Sequence, residues 1–160
     1  MNKQILAATT LSVGATSGIG SIASQPRITR SYSRLHKPSY VPRNGVFPVA
    51  WTTLYADIAV SSATAIDRLR AAGRDTEARN YVVALGANLI LNAGWSWLFF
   101  KYQKLGASAI GAAVLAASSA DLARRTAAAD PRAGAALVPY PLWCAFATVM
   151  SGHIWVLNRR

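Results

Sequence analysis

The chemistry open to this chain rests on aromatic rings and carboxamides repeated at helical spacing. An α-helix advances about 100° per residue, so positions three, four or seven apart share a face. That arithmetic puts Trp51, Leu54, Tyr55 and Ile58 on one stripe, and Asn88, Asn92, Trp95 and Phe99 on a second with Ser96 at its margin. A third stripe holds Tyr140, Trp143, Cys144, Ala147 and Ser151, large rings first and small side chains after, which leaves a slot. A flat, largely apolar, conjugated ligand suits such a slot: indole faces stack on it, and indole N–H or phenol O–H groups can bond its polar substituents. Each feature also has a plainer reading. An unpaired amide in hydrocarbon costs on the order of 2–7 kcal/mol, so Asn88 and Asn92 face either a ligand cavity or hydrogen-bonding partners on neighbouring helices. Trp and Tyr also gather at membrane interfaces with no ligand present, which is how Trp155 reads.

Ordinary catalytic or metal-binding machinery is not visible. His36 and His153 have no ligand spacing with cysteine or carboxylates, so no metal site is expected. Asp57 and Asp121 are carboxylates inside apolar stretches, which mark either function or a paired partner, and neither shares a stripe with the tryptophans. The single cysteine, Cys144, reads as a small buried hydrophobe.

The elements that must carry these stripes follow from composition. With 52% hydrophobic and 14% charged residues in 160, the chain has too little polar material to solvate a globule, and the expected solvent is lipid. The net charge of +11 lies in bands between apolar runs, such as Arg27, Arg30, Arg34, Lys37 and Arg43, or Arg68, Arg70, Arg74 and Arg79. Such bands anchor headgroups, and with no base-reading motif nucleic acid is not an expected partner. Apolar runs predict an all-α membrane protein, a bundle of five transmembrane helices over about 4–24, 46–66, 81–100, 105–123 and 135–157. The first run is rich in Ala, Gly, Ser and Thr and also fits a signal peptide cut after Ala23. Residues 25–45, broken by Pro26, Pro38 and Pro42, form an interfacial loop long enough to act as a lid. Lys and Arg counts of eight and nine on the two sides give no orientation. Ala109, Ala113 and Ala117, with Ala112, Ala116 and Ala120, would let the fourth helix approach another closely, within the bundle or in a dimer.

The strings KPSYVP (37–42), VFPVAWTTLY (46–55), NLILNAGWSWLFF (88–100) and LVPYPLWCAFATVMS (137–151) occur in an order that resembles the TspO/MBR family, the tryptophan-rich sensory proteins that include the mitochondrial translocator protein or peripheral benzodiazepine receptor. The resemblance covers about residues 35–158. It implies a five-helix membrane fold, a homodimer, and a pocket closed by the loop between the first two helices. It further implies binding of porphyrins such as protoporphyrin IX or haem as ligand, with no obligatory cofactor, in sensing, sequestration or transport, and placement in a bacterial cell membrane. Two alternatives are light-dependent porphyrin breakdown, in which Trp51 and Trp143 would take part, and carriage of sterol or lipid.

Carried over by motif, the ligand residues are Trp51, Trp143, Tyr55, Asn92, Trp95 and Ala147, with Pro38, Tyr40 and Pro42 from the loop. Phe47, Asn88, Phe99, Tyr140 and Ser151 complete the candidate set from the same strings. The loop departs from the family pattern, with Tyr40 where Trp is usual and Arg43 where a second proline is usual. Many members also carry Asn where Ser151 stands.

Overall fold

The structure, a computed structural model, describes residues 2–23 and 33–159, and every regular element among them is helical. α1 is Lys3–Ala23, α2 Val46–Ala71, α3 Asp75–Ser96, α4 Leu105–Ala129, α5 Pro131–Leu137 and α6 Pro139–Asn158. A π-helical turn, Trp97–Lys101, prolongs α3. Pro26 and the expected anchors Arg27 and Arg30 lie outside the described residues.

The helices run past their apolar stretches, and backbone chemistry sets where they stop. α2 continues beyond residue 66 to Ala71 because Gly73, at φ +69°, supplies the left-handed residue that closes it. Gly73 N–H donates to the Arg70 carbonyl at 3.0 Å and Arg74 N–H to the Leu69 carbonyl at 2.9 Å, a Schellman closure. α3 then begins at Asp75 rather than near 81, with Asp75 and Glu77 in the first turn where the helix dipole favours acids. Likewise α4 runs to Ala129, and one extended residue, Asp130, separates it from α5. Asp130 caps α5 by accepting the Ala133 N–H at 2.9 Å, Pro131 follows at the first helical position, and Arg68 reaches the same carboxylate at 3.3 Å. The fifth apolar run is therefore divided into α5 and α6 at Val138.

α4 packs most extensively on α6, α1 lies along α2 and α3, and α5 sits against both α4 and α2. Close approach of α5 to α4 requires Gly134, since a Cβ there would stand 2.4 Å from both Cα and Cβ of Ala127. Polar groups gather inside. Tyr81 O–H donates to Ser62 Oγ at 3.1 Å and shares a 2.8 Å bond with Thr126 Oγ1, joining α2, α3 and α4. Thr9 Oγ1 donates to the Ala59 carbonyl at 3.0 Å where α1 crosses α2. Aliphatic side chains point outward, with Leu11 and Ile90 each 74% exposed and Ile110 69%. That arrangement suits lipid, which satisfies no polar group and welcomes apolar ones.

Among the described residues, four helical stretches are long and apolar enough to cross a membrane: α1, α3 with its π turn, α4, and α5 with α6. α2 falls short because Thr52, Thr53, Asp57, Ser61 and Ser62 dilute its apolar run. Asp57 accepts the Ser61 hydroxyl at 2.8 Å, while Asp121 is paired with Arg124 and Arg125, each at 2.6 Å. Both carboxylates thus have local partners on their own helices.

Candidate functional site

A cleft of about 240 Å³ opens between α1, the first half of α2 and the end of α3. Phe47, Trp51 and Tyr55 form its α2 wall at intervals of four, the spacing that made them one stripe. Ser96 and Phe100, four residues apart, close the α3 side, while Phe99 stays in the core. Ser17, Gly20 and Ser21 of α1 form the opposite wall, and the loop contributes Asn44. The α1 residues are small and polar, so the two walls differ: rings on one side, room and hydroxyls on the other.

Trp51 is the centre of an aromatic cluster. Its ring lies 5.6 Å from Tyr55, 5.9 Å from Trp95 and, edge to face, 6.5 Å from Trp143. Phe47 meets Trp143 edge to face at 6.0 Å, and Trp95 stacks on Phe99 at 5.4 Å. Pairs in this range each add about 0.5–1.5 kcal/mol beyond their buried area, so Trp51 is held in a fixed orientation rather than loosely hung. Trp95 and Phe99 are buried behind it, and Trp143, half-buried, backs Phe47 and Trp51 without lining the cleft.

Behind the ring wall runs a chain of hydrogen bonds that consumes the carboxamides. Tyr55 O–H donates to Asn92 Oδ1 at 2.8 Å, Asn92 Nδ2 donates to the Tyr140 oxygen at 3.1 Å, and Tyr140 O–H donates to Asn88 Oδ1 at 2.8 Å. Asn88 Nδ2 continues to Ser118 Oγ at 3.1 Å. Asn88, Asn92 and Tyr140 are fully buried, so of the two readings open for the carboxamides the geometry displays interhelical bonding among α2, α3, α4 and α6. Tyr55 is the link between this chain and the cleft.

On α6, Ala147 and Ser151 are buried away from the cleft, and Ser151 Oγ, like Trp95 Nε1, has no hydrogen-bond partner among the described residues. The loop residues expected as lid contacts do not line the cleft. Val41 N–H closes a turn on the Pro38 carbonyl at 3.2 Å, and Pro42 follows half-buried. Tyr40, 44% exposed, shares a 3.2 Å bond with His153 Nδ1 and sets its ring edge-on to Phe146 at 6.2 Å. A reciprocal pair completes the attachment: His36 N–H donates to Asn158 Oδ1 at 3.0 Å and Asn158 Nδ2 to the His36 carbonyl at 2.8 Å. The described part of the loop is therefore tied to the end of α6. Arg43 is exposed beside Asn44.

Of the expected ligand residues, Phe47, Trp51 and Tyr55 line the cleft, whereas Ser17, Gly20, Ser21, Asn44, Pro48, Thr52, Ser96 and Phe100 line it without having been expected there. Small hydroxylated residues in α1 carry no chemical signature of their own, and only docking of α1 on α2 and α3 gives them a role. A Cβ on Gly20 would lie 3.6 Å from Ser96 Oγ and 3.8 Å from the Tyr55 oxygen, which shows how near α1 comes.

Comparison with known proteins fits this architecture. The sequence profile of the TspO/MBR family matches residues 6–156. The chain is 32% identical to the tryptophan-rich protein TspO of Chlorobaculum tepidum, over 99% of each chain. It is 31% identical to protein CrtK of Rhodobacter capsulatus, over 79% of this chain and 78% of that one, and 30% identical to the human translocator protein, over 79% and 73%. Membership extends through α1, where the motifs were silent. The outward aliphatic faces, the four helical stretches of spanning length and the family match together make this a multi-pass membrane protein, and the chain belongs to the TspO/MBR family.

Proposed function

We propose that this protein binds a tetrapyrrole of the protoporphyrin or haem class against Trp51, and that it senses, sequesters or moves that ligand in the membrane. One observation carries the reading: a half-buried indole, braced by Tyr55, Trp95 and Trp143, forms the wall of a cleft whose opposite side is small and polar. The cleft, about 240 Å³, is smaller than the roughly 300–1,000 Å³ of sites that enclose a drug-sized ligand. It would therefore grip one edge of the ring, leaving the remainder toward the cleft mouth. No histidine lines it, so an axial iron ligand is not part of the proposal. Names of relatives, tryptophan-rich and translocator, accord with this reading.

The experiment is a titration of the detergent-solubilised protein with protoporphyrin IX, following tryptophan fluorescence, beside the Ser17→Phe variant. Ser17 lines the cleft from α1, so the added ring should fill the space and abolish saturable quenching. Unchanged saturable quenching in that variant would place the ligand elsewhere.

A second reading, light-driven oxidation of the bound ring, is favoured by the contact of Trp51 with two further indoles at 5.9 and 6.5 Å, a route for charge to leave the cleft wall. A product spectrum that grows under illumination and vanishes in Trp51→Phe supports it. Bleaching at the rate of free porphyrin counts against it.

The same proposal takes α2 as a fifth crossing. Its 26 residues span about 39 Å, and it packs antiparallel against both α1 and α3. We also propose a homodimer through the outward alanines of α4, Ala113, Ala117 and Ala120, which are exposed while Ala112 packs inward.

A further inference from the structure

A second cavity, of about 290 Å³, lies between α1, α2 and α3 at the end of the bundle away from the loop. Its character changes along its length. α1 and α2 run antiparallel, Thr9 meeting Ala59, so Asn2, Gln4 and Arg70 cluster at the outer end. Deeper in, Ile5, Ala8, Ile66, Val82 and Leu85 make an apolar trough. On α1 the lining extends from Asn2 to Ser12, about 15 Å of helix, which matches the depth of one leaflet of a roughly 30 Å hydrocarbon core.

The charges at the mouth are unevenly spoken for. Arg68 is paired with Asp130, and Arg74 with Glu77. Arg70 lines the mouth and has no carboxylate within ion-pair distance among the described residues. An apolar trough one leaflet deep with an uncompensated cation at its mouth is complementary to an amphiphile that carries a long chain and an anionic head.

We propose that this groove is a binding site for one anionic phospholipid, with an acyl chain in the trough of α1, α2 and α3 and the phosphate at Arg70. The site is separate from the aromatic cleft, shares no lining residue with it, and does not depend on what the cleft binds.

The test is native mass spectrometry of the full chain in detergent, titrated with dioleoyl phosphatidylglycerol or dioleoyl phosphatidylcholine. Wild type should hold one phosphatidylglycerol in preference to phosphatidylcholine by about fivefold or more, the ratio for a single cation at a membrane surface. Arg70→Gln should bring the two lipids level. Ala8 is exposed in the trough, so Ala8→Phe fills empty space rather than displacing packed atoms, and it should remove the tight adduct of either lipid. Circular dichroism matching wild type shows that each variant has folded, and loss of helix in Ala8→Phe shifts the test to Ile5→Gln. The proposal is overturned by equal retention of both lipids in wild type, or by a single tight adduct that survives both substitutions. It is also overturned if Ala8→Phe removes a dimer signal and no lipid adduct, since the groove would then seat a second copy of the chain.

Discussion

Replacing Tyr140 with Phe removes one oxygen from the centre of the buried chain and leaves the ring in place. Two bonds are lost, the 2.8 Å donation to Asn88 Oδ1 and the 3.1 Å acceptance from Asn92 Nδ2, and each amide atom loses its only partner among the described residues. Interhelical bonds in membranes average about 0.6 kcal/mol each, so two set a floor near 1 kcal/mol, and stranding two buried amide atoms raises the cost toward about 3 kcal/mol. Mixed-micelle denaturation, titrating sodium dodecyl sulfate into a mild detergent and following helicity, measures the loss directly. Asn88→Ala should destabilise by a similar amount, and the double variant by clearly less than the sum, because both act on one network. Affinity for a ring in the cleft should change by less than about threefold, since the chain lies behind the wall and reaches the cleft through Tyr55 alone. A loss below about 0.5 kcal/mol would refute the structural role of the chain. So would a fall in ligand affinity as large as that caused by Trp51→Phe.

Other outcomes follow from single contacts. Gly134→Ala forces α5 off Ala127, which it would meet at 2.4 Å, and should cost about 1–3 kcal/mol in the same denaturation assay, whereas Gly18→Ala, whose Cβ meets nothing within 4 Å, should be near neutral. Asp130 is held below the ordinary carboxylate range, first by the Ala133 N–H and further by Arg68, so its stabilisation is complete above its unfolded value of about 3.9 and is lost as pH falls through the folded one. Asp130→Asn keeps a capping oxygen but should flatten that acid limb of stability against pH. Asn158→Ala breaks the reciprocal pair with His36 and should raise hydrogen exchange and protease cleavage in residues 33–45 without altering global unfolding.

What the sequence disclosed follows its physics. Trp51, Tyr55 and the second and third stripes were legible because helical spacing alone decides which side chains share a face. The same spacing could not choose between ligand and neighbour for Asn88 and Asn92, since that choice rests on Tyr140 lying 52 and 48 residues away. Tyr40 was assigned to the cleft by its place in the loop motif, while its partners His153 and Phe146 lie over a hundred residues on, where no local pattern reports them. Hydropathy placed the ends next to the loop and at the π turn to within a residue. It stopped α2 at 66 and α4 at 123 and began the third and fifth spans at 81 and 135, although Gly73 and the Asp130–Pro131 pair carry the stop and start signals in plain view. The α1 wall was illegible for a different reason: Ser17, Gly20 and Ser21 matter through their smallness, and smallness becomes a function only beside Trp51 and Tyr55.

Trp51 carries the proposed contact with the ring. Titration of wild type, Trp51→Phe and Trp97→Phe with protoporphyrin IX isolates it, because Trp97 lies outside the cleft with its indole N–H bonded to the Ile19 carbonyl at 3.1 Å. The predicted result is saturable binding that weakens about tenfold or more in Trp51→Phe, as loss of a stacked ring worth about 1–3 kcal/mol requires, and is unchanged in Trp97→Phe. Equal affinity in all three proteins, measured by porphyrin absorbance as well as quenching, would contradict it.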